Sequence, residues 1–227
     1  VRPVLLPVVR VARSRGAWLA AAAWSALVLA AAWRERSHGA VHGAAQALET
    51  YASIGVPFVV YALVGAAVAP EELAGSGRPL VRLGASPVRV ATATVVIAMA
   101  ASAALSGLLG GATVAWAHGS ADPPLQDDAL LTLGVGALAG AAYAAYFLVG
   151  SALVARGWGR AALLVLDYAV GTDDGLGALL TPRAHLRNLL GGDAPFDALP
   201  SESLVALASL ASAGAVLAIW RASRVRV

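Results

Sequence analysis

ALLTLGVGALAGAAYAAYFLVGSALVA, residues 129–155, runs for 27 residues without a charged side chain. A bilayer's hydrocarbon core, roughly 30 Å thick, needs about 20 helical residues to cross it. Inside hydrocarbon a helix satisfies its own backbone hydrogen bonds, so this stretch reads as a transmembrane helix. Flanking it, Asp127 and Asp128 close one end and Arg156 and Arg160 the other.

Working outward, further apolar blocks predict spans at residues 17–33, 51–69, 90–117, 159–171 and 202–220. The fold class expected is all-α: a polytopic membrane protein with six transmembrane helices in a single domain, residues 1–227. The 159–171 block is the shortest, and its helix is expected to be tilted, broken or completed by the residues after Gly171. Pro57 is placed to kink the second span. Residues 1–16 carry four Arg among Val and Leu and read as a basic amphipathic elbow on the membrane surface, with Pro3 and Pro7 confining any helix to the second half. Such a start also resembles a cleavable signal peptide, but the later apolar blocks favour a retained first helix.

Composition agrees with the block pattern. Of 227 residues, 59% are hydrophobic and 13% charged, against about 25% charged in soluble domains. Between the spans there is no room for a soluble domain of about 100 residues. Cysteine is absent, which excludes disulfides and thiolate metal sites. All sixteen basic residues are Arg, so the Lys of a phosphate-cradling GxxxxGK[ST] loop is missing too. Neither a catalytic set nor a nucleic-acid partner is expected.

Arg placement predicts orientation. Twelve Arg fall on the side holding both termini and the 70–89 and 156–160 connections; four, Arg34, Arg36, Arg183 and Arg187, fall on the other. Both termini are therefore expected in the cytoplasm. Five of six Trp sit at expected span ends, where indole prefers the headgroup level, and Trp24 is mid-span. Small residues at four-residue spacing, Ser102 with Ser106 and Gly136 with Gly140 and Ala144, let helix backbones approach closely. Packing within the chain accounts for them more simply than a dimer face.

Few residues are candidates for chemistry. Asp167 is the only carboxylate placed inside a span; near the Gly171 turn it reads first as a hydrated helix end, with a substrate-path or proton-relay role as the alternative. His38 and His42 have helical metal-pair spacing but no third ligand, and read as loop residues. His118 and His185 are isolated. Gly175-Leu176-Gly177 beside Asp173 and Asp174 only faintly echoes an intramembrane aspartyl protease. The outer stretch 172–200 is expected to be a re-entrant or surface segment, in which Ala184, Leu186, Leu189 and Leu190 predict a short helix at the membrane surface.

The connection 70–89, PEELAGSGRPLVRLGASPVR, opens on two acids, turns at Gly75-Ser76-Gly77 and continues as an apolar-basic segment. It suits a short helix offering apolar side chains to a partner's groove, or else a solvated loop whose Arg set topology. This segment resembles the cytoplasmic connection of type 2 (ABC-2) ABC transporter permeases, and LLTPRAHLRNLLGG, residues 179–192, resembles the stretch before their last span. A haem-exporter permease subunit has a similar layout. The resemblance implies a permease subunit in a bacterial cytoplasmic (inner) membrane, paired with a like or unlike second permease chain and two cytoplasmic ABC ATPase subunits that hold the ATP and Mg. Glu71, Glu72, Arg78, Leu80, Arg82, Leu83 and Gly84 would then form the coupling helix. Rival expectations are a non-transporting membrane scaffold, built on the small-residue rows, and a proton-coupled secondary transporter using Asp167.

Overall fold

A computed structural model describes residues 5–39, 41–68, 72–154, 156–172 and 175–224. Among them are eleven α-helices. A short α1 (Leu5–Arg13) precedes α2 (Arg15–Ser37), and α3 (Gly43–Thr50) continues through a π-helical turn, Tyr51–Gly55, into α4 (Val56–Val68). Two single-turn helices come next, α5 (Leu73–Ser76) and α6 (Arg78–Arg82). After them stand α7 (Pro87–Ala117), α8 (Leu125–Leu153), α9 (Trp158–Val170), α10 (Pro182–Leu189) and α11 (Pro200–Arg224).

Among the described residues, five helical stretches are long and apolar enough to cross a bilayer: α2, the α3–α4 run, α7, α8 and α11. That is the pattern of a multi-pass membrane protein. The helix in the place of the expected fifth span, α9, has 13 residues and a length of about 20 Å, short of a 30 Å hydrocarbon core. The stretch after it folds inward rather than lying on a surface: in α10 Arg183, Ala184, His185, Leu186 and Asn188 are all buried. The short helix expected here is present, and its polar side chains find partners inside the protein.

Helix ends reflect local chemistry. Pro87 and Pro200 stand in the first turns of α7 and α11, where the missing N–H costs nothing. Glu202 reaches back to accept the Leu199 N–H at 2.8 Å. Asp127 and Asp128 occupy the first turn of α8, and Arg221 and Arg224 the last turn of α11, both favourable with the helix dipole. Helix α1 starts before Pro7, not after it as expected, because a proline in the first turn is tolerated.

The second span begins eight residues earlier than its hydropathy indicates. Asp122, from the loop before α8, accepts the Ala44 N–H at 2.8 Å and the Gly119 N–H at 2.7 Å, which secures the start of α3. A π-turn stands just before Pro57, and in it the Val56 N–H bonds to the Tyr51 carbonyl. Pro57 cannot donate to the Ser53 carbonyl one turn back, and the Tyr168 hydroxyl of α9 donates to it instead. A neighbouring helix thus satisfies the group that the proline frees.

The core centres on α8. Its most extensive contact is with α7, and α11, α9 and α4 pack around its remaining faces. The rows read from the sequence meet here: Ser102, Ser106, Gly136, Gly140 and Ala144 are all buried. A Cβ on Gly140 would fall 2.5 Å from the Ser102 carbonyl oxygen, so only hydrogen fits. These rows are consumed within the chain. Tyr51 reaches the same seam and donates to the Ser106 carbonyl at 2.8 Å. Tyr51→Phe is expected to lower stability by about 0.5–1.5 kcal/mol, read as a shift in unfolding midpoint in detergent; an unchanged midpoint would mean the bond contributes nothing.

By contrast α2 and α11 are peripheral. Only 17% of the most apolar window of α2 and 22% of that of α11 is buried, against 61% for α8. Trp18, Trp33, Trp116, Trp158 and Trp220 are exposed, while Trp24 turns inward and stacks on Phe58 with ring centres 4.3 Å apart.

Candidate functional site

Two places gather the residues that the sequence singles out. One is the connection between α4 and α7. Glu71 lies outside the described residues. Glu72 pairs with Arg78 at 3.3 Å across the α5–α6 turn. Leu73, Ser76 and Leu80 are buried and fasten the segment to the bundle, where α5 touches α7, α8 and α11. Arg78, Arg82, Leu83 and Gly84 face outward. Leu83 is 71% exposed and Val88 is exposed nearby in sequence. Gly84, at φ +89°, turns the chain toward α7, a conformation that side chains with a Cβ rarely adopt. The result is an anchored corner with an outward apolar-basic face.

The other place surrounds Asp167. Counting from the start of α9, Asp167 stands roughly 14 Å along its helix, and Tyr143 roughly 15 Å from the end of α8, so both lie near mid-depth of the bundle. Asp167 is fully buried, which overturns its reading as a hydrated helix end. Its Oδ2 accepts from the Tyr143 hydroxyl at 2.9 Å and from Arg183 Nε at 3.0 Å. The Arg183 backbone N–H donates to Oδ1 at 3.3 Å. The Arg183 guanidinium, 2% exposed, lies over the Tyr168 ring with Cζ 3.4 Å from its centre. A carboxylate in this position is costly unless paired, and α10 brings the counter-charge from sixteen residues away. Pro182 stands in the first turn of α10 with Arg183 directly after it, so the geometry of the helix start aims the arginine at α9.

His185, isolated in sequence, is buried and doubly partnered, with Nδ1 3.1 Å from Ser203 Oγ and Nε2 3.0 Å from the Leu179 carbonyl oxygen. Asn188 donates to Ser203 Oγ and to the Ala198 carbonyl, both at 2.9 Å. Together with the ion pair these bonds tie α10 to α8, α9 and α11. Sequence reading missed this network; its one available signal was that an intramembrane Asp demands a nearby cation. His38 and His42 do not converge. His38 Nδ1 meets the Arg34 carbonyl at 2.7 Å, and His42 stands 4.0 Å from Asp122.

Chemically, the Asp167 cluster holds charge rather than exposing it, whereas the α5–α6 corner exposes basic and apolar side chains. No family model, curated protein or solved structure matches the chain.

Proposed function

We propose that this chain is the membrane-spanning subunit of an ATP-driven transporter of the ABC-2 type, acting as an exporter in a bacterial inner membrane and coupled to a separate ATPase. The observation that carries the reading is the α5–α6 corner: buried Leu73 and Leu80 fix it to the bundle, while Arg82 and Leu83 stand outside. Because α5 abuts α7, α8 and α11, a push on the exposed face would reach the central helix directly and move packed helices as rigid bodies. Both termini would lie on the cytoplasmic side with this corner, and α1 would serve as the interfacial elbow. The substrate path would run between this bundle and a second permease subunit, alike or different, along the lipid-facing surface that α2 and α11 leave open.

The test is a double substitution, Arg82→Glu with Leu83→Glu. Both side chains are exposed, so yield and unfolding midpoint should stay within about 0.5 kcal/mol of the parent. Co-purification with the ATPase and permease-stimulated ATP hydrolysis should each fall at least about tenfold. Full coupling in the double variant would refute the assignment.

The scaffold reading loses its main support because the small-residue rows it would use are occupied within the chain. The depth of Asp167 favours one second reading, a proton-coupled transporter. For that reading Asp167→Asn must abolish gradient-driven uptake by folded protein.

A further inference from the structure

At the end of α4 away from α10, a cavity of about 590 Å³ opens between α1, α2, α4 and α9. Arg10, Arg13 and Arg160 line it, with Tyr61 on one side. The rest of the lining consists of Ser14, between α1 and α2, and small residues of α2 and α4, Ala17 and Ala66 among them. Arg160 decides its chemistry. That side chain is only 7% exposed, yet its Nε and Nη1 are buried without a hydrogen-bond partner among the described residues. Its guanidinium rests against Tyr61, with Cζ 5.6 Å from the ring centre, and over Gly65, where a Cβ would come within 3.8 Å of Nη2.

Burying a guanidinium with two idle nitrogens is costly unless an acceptor arrives from outside the chain. Its own helix offers no compensation, because Arg160 stands in the first turn of α9, where the helix dipole is positive and favours an anion. Planar guanidinium donors match phosphate oxygens in pairs. A phosphate between Arg160 and Arg13 would satisfy the buried fork and the helix end together.

We propose that this cavity binds the phosphate of an anionic phospholipid, with Arg160 as the buried clamp and Arg13 at the exposed edge. A lipid, rather than a free phosphate, fits the surroundings. Trp18 and Trp158, both exposed, mark this end of the bundle as headgroup level. The apolar surface of α2 runs from the cavity along the bundle and is largely uncovered, so an acyl chain can lie on it. The site is independent of the transport reading and involves none of the α5–α6 residues.

The experiment measures binding of three probes to the full chain in detergent: phosphatidylglycerol, phosphatidylcholine of the same chain length, and sn-glycerol 3-phosphate. Phosphatidylglycerol should bind about tenfold more tightly than phosphatidylcholine, and the glycerol phosphate should bind far more weakly. Arg13→Gln, at an exposed position, should weaken phosphatidylglycerol by about fivefold with no change in unfolding midpoint, and Arg160→Gln by more. Ala66→Phe, which fills the apolar part of the cavity, should weaken it as well. Equal binding of the two lipids would overturn the proposal, as would an Arg13→Gln variant that keeps full preference. Glycerol phosphate binding as tightly as the lipid would show that the site takes free phosphate and would overturn the lipid assignment.

Discussion

Arg183→Met is expected to destabilise the bundle by about 3–5 kcal/mol, the usual cost of removing one partner from a buried ion pair. Asp167 would be left fully buried with the Tyr143 hydroxyl and the residue 183 N–H as its only donors among the described residues, too little to hold a carboxylate charge in a dry interior. It would either take up a proton or draw water into the packing between α8, α9 and α10. Asp167→Leu should do comparable harm, because the Arg183 guanidinium would lose its anion and one of its nitrogens, Nη2, already lacks a partner among the described residues. The double variant Asp167→Leu with Arg183→Met should recover most of the loss, to within about 1 kcal/mol of the parent, since an apolar pair of similar volume needs no compensating charge. Unfolding midpoints of all three in the same detergent make the cycle. Single variants within about 1 kcal/mol of the parent would show that the pair is not what holds α10 in place.

The second large effect belongs to the α7–α8 seam. Gly140→Leu should cost at least about 1–3 kcal/mol, because its Cβ alone would overlap the Ser102 carbonyl, a backbone atom that cannot turn aside. Gly136→Leu should be as severe, since its Cβ would fall 2.2 Å from the Tyr51 hydroxyl oxygen and displace the Tyr51–Ser106 bond as well. Gly134, on the same helix with nothing within 4 Å of a Cβ, supplies the control. Gly134→Ala should leave stability unchanged or raise it by a few tenths of a kcal/mol through helix propensity. Equal tolerance at 134 and 140 would mean that α7 and α8 are not packed backbone to backbone.

The long spans were legible because hydropathy is written in consecutive residues. The block 129–155 corresponds to α8 at Leu125–Leu153 and the block 90–117 to α7 at Pro87–Ala117. Where the reading slipped, polar residues concealed buried helix. The expected second span began at residue 51, after a polar stretch holding Arg34, Glu35, Arg36, His38 and His42, yet α3 before it buries Ala44, Ala47 and Leu48. The apolar pattern of Ala184, Leu186, Leu189 and Leu190 pointed to the α10 helix, but not to the partners that Arg183, His185 and Asn188 find inside the fold. Asp167 was recognised as an intramembrane charge but placed in water, because its counter-ion comes from another helix. The small-residue rows were visible at their spacing, but nothing local said which helix each would meet. Likewise the three arginines of the α1–α9 cavity lie in two distant segments, and no local pattern joins Arg13 to Arg160.

By itself, then, the chain's order of residues determined that it is helical, that it is built for hydrocarbon, and roughly where each long helix begins and ends. Those properties depend on transfer free energy and backbone hydrogen bonding summed over a single stretch. Only the tertiary structure decided that α10 lies inside, that Asp167 is neutralised by Arg183, and that Arg160 has donors without a partner among the described residues. Each of these depends on the groups standing across a helix interface, and the cost of a buried polar group is set by its partners rather than by its neighbours along the chain.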